Sequence, residues 1–261
     1  MSNWDPEQYR RFAAERAQPF HDLLALIRSD GVRRAVDLGC GPGELTALAA
    51  ERFGATFVGI DNSASMLAKT AEHECDGVRF EHGDIATWTS TPVFDLVLAN
   101  AALQWVPDHR RVLARWAAAL APGGQLAVQV PANAGQATHL VAVAVAASDE
   151  FRDAFGEAGP PADPVAGNVL EPEQYATALY ELGFVEQHVR LQVYPHVLPS
   201  SRDVVEWVKG TTLTRFSSVL APDVFDRFVA AYEARLLDVI GRHEPYFFPF
   251  RRILMWGRLA S

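Results

Sequence analysis

Short runs rich in β-branched and aromatic residues alternate with stretches of helical spacing, and this alternation restricts the fold more than any other feature of the chain. Ala35 to Leu38, Thr56 to Ile60, Val78 to Glu81, Phe94 to Ala99 and Gln125 to Val130 read as strands. Helical patterns separate them, which predicts an α/β fold with a parallel sheet wrapped by helices. One helix opens at Glu44. Another runs from Asp108 to Leu120, with Asp108 as its N-cap and Pro122-Gly123-Gly124 as its stop. Ahead of the first strand, Tyr9, Phe12, Ala13, Ala17, Phe20, Leu23, Leu24 and Ile27 mark an amphipathic helix that Pro19 kinks or divides.

After Pro131 the pattern changes. A helix is expected from about Gln136 to Ser148, then a Gly/Pro-rich loop from Gly156 to Gly167. A further helix opens at Glu171-Pro172 and stops at Gly183. Phe184 to Tyr194 reads as a strand and Tyr246 to Leu259 as the last one. Between them, Ser200 to Trp207 and Pro222 to Ile240 have helical spacing, so the late helices form a cap inserted between the final two strands. Val112 and Trp116 lie on a regular helical stripe and belong to the core.

The composition of the 261 residues, 49% hydrophobic and 21% charged, is that of a globular protein with ample core. Net charge is -9 and no basic run is present, so neither nucleic acid nor a membrane surface is an expected partner. The start lacks the pattern of a signal peptide, and the longest apolar run, Leu140 to Ala147, is too short to span a bilayer. A cytoplasmic protein is expected. Cys40 and Cys75 form no disulfide pattern, and neither is expected to do chemistry. The eight histidines show no metal-ligand spacing, so no metal is expected.

The segment Val36-Asp37-Leu38-Gly39-Cys40-Gly41-Pro42-Gly43-Glu44 carries most of the functional information. A strand ends there in glycines at alternate positions, and a helix begins. Glycine permits positive φ and lets a ligand approach the backbone. The spacing is G-x-G-x-G, unlike the G-x-G-x-x-G that cradles a pyrophosphate. A ligand without phosphate but with an ammonium group fits better, since Asp37 offers negative charge at the strand end. The alternative is a tight strand-to-helix turn with no ligand.

Two more acids sit at comparable places. Asp61 follows the second strand, where a carboxylate can accept both hydroxyls of a ribose. Asp84 follows the third, where it can accept an adenine amino group while Ile85 packs on the ring. Helix capping for Asp61 and a plain loop acid for Asp84 are the competing readings. Acids at successive strand ends all fall on the carboxyl edge, where open α/β sheets bind ligands.

These residues resemble the class I S-adenosylmethionine-dependent methyltransferases. Phe94 to Asn100 and Leu120-Ala121-Pro122-Gly123-Gly124 are similar to that superfamily's fourth strand and to the turn before its fifth. Within it, the chain most resembles the trans-aconitate 2-methyltransferase family, over nearly its whole length. The matching stretches are Trp4-Asp5-Pro6 with Tyr9, Phe12, Glu15-Arg16 and Pro19; Ala99 to His109; Leu126 to Pro131; Trp207 to Thr211; and Phe248 to Arg252. The chain departs from the family at Gln18, where an arginine is usual, and at Thr212-Leu213-Thr214-Arg215, where G-L-R-P is common.

The resemblance implies a Rossmann-like sheet, mostly parallel with an antiparallel last strand and helices on both faces. Residues 1–30 would form an N-terminal helical lid and 31–132 the cofactor-binding core. Residues 133–261 would hold the rest of the sheet with a substrate-cap insertion mainly over 195–245, all within one domain. It implies S-adenosylmethionine as cofactor, held by Asp37, Gly39, Gly41, Gly43, Asp61, Asn62, Met66, Asp84, Ile85 and Asn100. A small carboxylic acid would lie against Trp4, Tyr9, Gln104, Trp105, His196, Trp207 and Arg252; the competing readings are core packing for Trp105 and Trp207, a loop histidine without function for His196 and a surface ion pair for Arg252. A carboxylate is already ionised at neutral pH, so methyl transfer to it needs positioning and no general base. Of the adjacent Arg251 and Arg252, strand alternation turns only one toward the site, and the resemblance favours Arg252. Competing readings are methylation of a phenol, an amine or a carrier-bound acyl carboxylate, and a non-catalytic protein that binds S-adenosylmethionine. A nucleotide-dependent oxidoreductase is least favoured by the glycine spacing.

Overall fold

The computed structural model describes residues 13–261, with side chains from residue 17 onward. In chain order the elements are α1 (Ala13–Leu24), β1 (Arg34–Leu38), α2 (Glu44–Phe53), β2 (Thr56–Asp61), α3 (Ala64–Leu67), β3 (Val78–His82), β4 (Phe94–Asn100), α4 (His109–Ala117) and β5 (Leu120–Pro131). Then follow α5 (Ala137–Ala146), α6 (Pro164–Asn168), α7 (Pro172–Glu181), β6 (Phe184–Leu198), α8 (Asp203–Lys209), α9 (Thr214–Ser217), α10 (Pro222–Ile240) and β7 (Tyr246–Leu259). The seven strands form one sheet in the order β3-β2-β1-β4-β5-β7-β6. Pairings from β3 through β5 are parallel, and β7 runs antiparallel to β5. This is the α/β sheet expected from the alternating pattern.

The chain separates into two compact units. One comprises residues 18–132, 168–192 and 252–261; the other takes the rest. In the first, the sheet unit, Leu96, Val97, Leu98 and Ala99 of β4 are fully buried, as suits a central strand covered on both faces. Helix α4 turns Val112, Leu113 and Trp116 inward, with Asp108 at its N-cap accepting from the Arg111 amide. Trp116 is fully buried, and its indole Nε1 donates to the Ile85 carbonyl at 3.0 Å, so the helix fixes the loop that follows β3. In the second, the helical unit, α10 buries Phe228, Tyr232 and Leu236, a four-residue spacing that keeps one face inward. Tyr232 donates to the Thr138 carbonyl of α5 at 3.0 Å.

Several boundaries differ from those expected. Pro19 does not divide the first helix, which runs on to Leu24. The proline removes one backbone donor, and the complete burial of Phe20, Leu23 and Leu24 offsets that loss. Helix α4 ends at Ala117 instead of Leu120, because Leu120 already pairs with Phe94 and β5 begins there. Pro122-Gly123-Gly124 therefore lies within β5, at an irregularity in its register with β4. Strand β6 continues past Tyr194 to Leu198, with Tyr194, His196 and Leu198 buried and Val193, Pro195 and Val197 exposed. A sheet-edge position tolerates Pro195, whose missing N–H would be costly in a central strand. The short helices α3, α6 and α9 carry too few residues for a readable period. Among the described residues no helix is long and apolar enough to cross a membrane.

Trp116 joins core burial to the placement of the β3 loop. Replacing it with alanine should destabilise the protein by about 3–5 kcal/mol in urea unfolding. A change under about 1 kcal/mol would contradict this role.

Candidate functional site

At the end of β1 the chain turns through Gly39, Gly41 and Gly43, with φ of 82°, 58° and 90°. Only glycine adopts these angles without strain. Gly39 is also held by space, since a Cβ there would lie 2.2 Å from the Ala102 Cβ. The β1 turn thus presses against the turn after β4. At Gly41 a Cβ would meet nothing within 4 Å, so the backbone there faces open space.

The acids at the strand ends are arranged around this turn. Asp61 Oδ2 accepts from the Gly41 amide at 2.9 Å and Oδ1 from the Ser63 amide at 2.8 Å. Each of its oxygens keeps a lone pair for a ligand hydroxyl. Ser63 caps α3, which carries the half-buried Met66, while Asn62 is exposed. Asp84 is exposed and accepts from the Ala86 amide at 2.9 Å; Ile85 beside it is buried.

Asp37 behaves differently. It is 3% exposed, and its Oδ2 accepts from Thr46 of α2 at 2.6 Å, while Oδ1 has no hydrogen-bond partner among the described residues. Burial pushes its carboxyl up to about 6; the Thr46 hydroxyl opposes the shift, and the neighbouring Asp61 charge adds to it. An uncompensated buried carboxylate oxygen is unfavourable, and a cationic ligand group would relieve it.

Along the same carboxyl edge, Asn100 ends β4 and the following Ala101 takes φ 54°. Gln104 is 5% exposed and donates to the Ala101 carbonyl at 2.6 Å, bracing this strained turn, whereas Trp105 beside it is 58% exposed. Gln129 of β5 donates to Asn100 Oδ1 at 3.4 Å and accepts from Arg252 Nη1 at 2.6 Å. Arg252 pairs with Pro131 at the end of β5, so its guanidinium sits at the edge that carries the three acids.

The sheet unit therefore brings together Asp37, Gly39, Gly41, Gly43, Asp61, Asn62, Met66, Asp84, Ile85, Asn100, Gln104, Trp105 and Arg252. His196 and Trp207 belong to the helical unit, where both are buried, their rings 4.8 Å apart. Trp4 and Tyr9 lie outside the described residues. Sequence reading gave no role to Thr46 or Gln129. A lone glutamine inside the apolar run Leu126 to Val130 was the available signal, and the structure buries it fully. A groove of about 740 Å³ elsewhere on this unit, lined in part by Arg33, Glu44, Thr56, Gly77 and Val78, contains none of the expected cofactor or acid contacts. Among the described residues, no group of three or more His, Cys, Asp or Glu is placed to hold a metal ion.

Residues 35–124 match a family described as a methyltransferase domain. The chain is 43% identical over 258 residues to the trans-aconitate 2-methyltransferase of Deinococcus radiodurans, covering 96% of each. It is 39% identical over 267 residues to that of Methylobacterium radiotolerans, covering all of both. The chain belongs to the trans-aconitate 2-methyltransferase family. Solved structures agree on the fold of this family member. The YcgJ protein of Bacillus subtilis matches with TM-score 0.61 at 14% identity, covering 93% of this chain and 98% of that one. A Haemonchus contortus phosphoethanolamine N-methyltransferase 2 matches with TM-score 0.55 at 18% identity, covering 92% of this chain and 53% of that longer one.

The buried Asp37 gives a pH-dependent prediction for this family member. Its folded carboxyl titrates above the unfolded value of about 3.9, so the protonated form is favoured by folding. The associated stability is present at low pH and lost as pH rises through about 6. Asp37→Asn should therefore stabilise the ligand-free protein by roughly 1–3 kcal/mol at neutral pH, and the gain should fade toward about pH 4. Urea unfolding across that range checks it, and no gain at neutral pH would contradict the assignment.

Proposed function

We propose that this chain transfers the methyl group of S-adenosylmethionine to a carboxylate oxygen of trans-aconitate, giving a monomethyl ester. The relationship to trans-aconitate 2-methyltransferases over the full length of the chain carries the reading. The site geometry supports it. Asp37 would meet the ammonium of the cofactor's amino acid portion, and Asp61 the ribose hydroxyls. Asp84 and Ile85 would take the adenine, with Asn62, Met66 and Asn100 completing the surround.

When bound, S-adenosylmethionine supplies a methyl group on a sulfonium. An ionised carboxylate attacks it without a general base, so the chain's own task is to hold the acid in line and keep water out. Arg252 suits that task, because a guanidinium grips a carboxylate through parallel hydrogen bonds and so fixes its orientation. Gln129 holds Arg252 from behind at 2.6 Å. Concentrated positive charge is needed here, since the net charge of -9 would otherwise repel a polyanion. Gln104 and Trp105 border this part of the sheet edge, and the roles proposed for Trp4, Tyr9, His196 and Trp207 toward the acid rest on the family resemblance alone. The reading carries with it a free small-molecule acceptor, no nucleic-acid or membrane partner, and a cytoplasmic setting. It is supported by the acidic charge balance and the lack of a basic run.

Incubation with methyl-labelled S-adenosylmethionine and a panel of di- and tricarboxylic acids, phenols and amines tests the proposal. A base-labile ester of trans-aconitate is expected. In the same assay Arg252→Lys should lower kcat/KM for the acid by about ten- to a hundredfold, the loss of one strong charged hydrogen-bond pair, while Arg251→Lys changes it little. Turnover of phenols or amines alone would replace the proposed acceptor, and equal small effects from both arginine variants would remove the clamp.

A further inference from the structure

The helical unit buries a charge cluster that the chemistry above does not use. Asp163, just ahead of α6, has a side chain only 5% exposed. Its Oδ1 accepts from the Val165 amide at 3.0 Å. Its Oδ2 lies 2.6 Å from His139 Nδ1 and 2.9 Å from Arg215 Nη1. The His139 and Arg215 side chains are each 8% exposed. Burial alone would favour a protonated Asp163, but the His139 hydrogen bond and the charges of His139 and Arg215 outweigh it and hold the carboxyl below the ordinary range.

Asp163 is well met by this arrangement; Arg215 is not. Among the described residues, Nε, Nη1 and Nη2 of its buried guanidinium all lack a well-directed hydrogen-bond acceptor. The contact of Nη1 with Asp163 supplies charge without good hydrogen-bond alignment. One face of the guanidinium is covered by the Phe216 ring, whose centroid is 4.6 Å from Cζ. Nε–H and one Nη2–H project in parallel from the edge directed away from Nη1, the edge that engages carboxylates in a two-bond fork. Leaving such donors unmet in a buried place is strongly unfavourable, whereas a pair of ligand oxygens would satisfy both at once.

We infer that Arg215 is a carboxylate-binding residue of the helical unit, its Nε–Nη2 edge taking a small organic carboxylate while Asp163 and His139 hold the guanidinium in place. The carboxylate belongs either to the acceptor acid or to a separate small acid. Only the first case rests on the function proposed above.

Calorimetric titration of trans-aconitate and of succinate into the full chain, with S-adenosylhomocysteine present, tests the site. Arg215→Lys keeps a cation beside Asp163 but removes the fork. It should weaken binding of at least one acid by about ten- to a hundredfold, with S-adenosylhomocysteine affinity and cooperative unfolding retained. A loss for trans-aconitate with a matching rise in its KM identifies the acceptor as the ligand. A loss for succinate alone identifies a separate acid, and the inference stands. Binding of trans-aconitate by the wild type without methylation would defeat the proposed function and leave this site intact. Unchanged affinity for both acids would overturn the inference, as would a wild type that binds neither. Loss of S-adenosylhomocysteine binding together with acid binding would make Arg215 merely structural and also overturn it. The wild-type protein gives a second measurement that needs no folded variant: a slowly exchanging arginine Nε–H resonance should shift when acid is added, and no such shift is the opposing result.

Discussion

The Ile60 carbonyl receives the amides of both Gly39 and Cys40, at 2.8 and 3.1 Å, and the adjacent Asp61 carboxylate receives that of Gly41 at 2.9 Å. This junction of β1 and β2 ties the glycine turn to the neighbouring strand, so the turn cannot relax without breaking bonds at the sheet edge. Positive φ at the glycines follows from it, as does the approach of Gly39 to Ala102. The start of α2 at Glu44 follows as well, and with it Thr46 is carried into reach of Asp37. The acids at the ends of β1, β2 and β3 are neighbours because parallel strands in this order place their carboxyl ends on one edge.

The groups assembled there are not arranged for the stability of the ligand-free protein. Ala101 is forced to positive φ, and among the described residues one oxygen of the buried Asp37 and the amide oxygen of Gln104 have no partner. Each lowers stability where a ligand or a strained turn is needed, a pattern common at functional sites. The helical unit repeats it at Arg215, whose charge is balanced by Asp163 while its buried Nε–Nη2 edge meets no acceptor among the described residues. In both units the buried group that lacks a partner has a charge opposite to that of the ligand group proposed for it.

Much of this was legible in the sequence, for identifiable reasons. The five strands of the first half, the helix of Trp116 and the N-cap Asp108 each follow from local patterns whose physical cause is local. Asp37, Asp61 and Asp84 were readable because strand ends in a parallel sheet share an edge, so position along the chain translates into position in space. Partnerships across the sheet were not readable. Gln129 reaches Asn100 and Arg252 through strand pairing, and Thr46 reaches Asp37 through helix packing. The cluster of His139, Asp163 and Arg215 joins α5, the residue ahead of α6, and α9, and nothing in local spacing announces it. The extension of β6 past Pro195 was equally hidden, because edge position, which excuses the proline, is a property of the whole sheet.

The adenosyl ligand is proposed to sit on the carboxyl edge of the parallel sheet and on no other surface of the sheet unit. Titration of S-adenosylhomocysteine into isotopically labelled protein, followed through the backbone amide resonances, tests it most directly. The largest shifts are expected at Gly39, Gly41, Gly43, Asp61 to Ser63 and Asp84 to Ala86. Shifts concentrated at Arg33, Thr56, Gly77 and Val78, which line the separate groove, would contradict it.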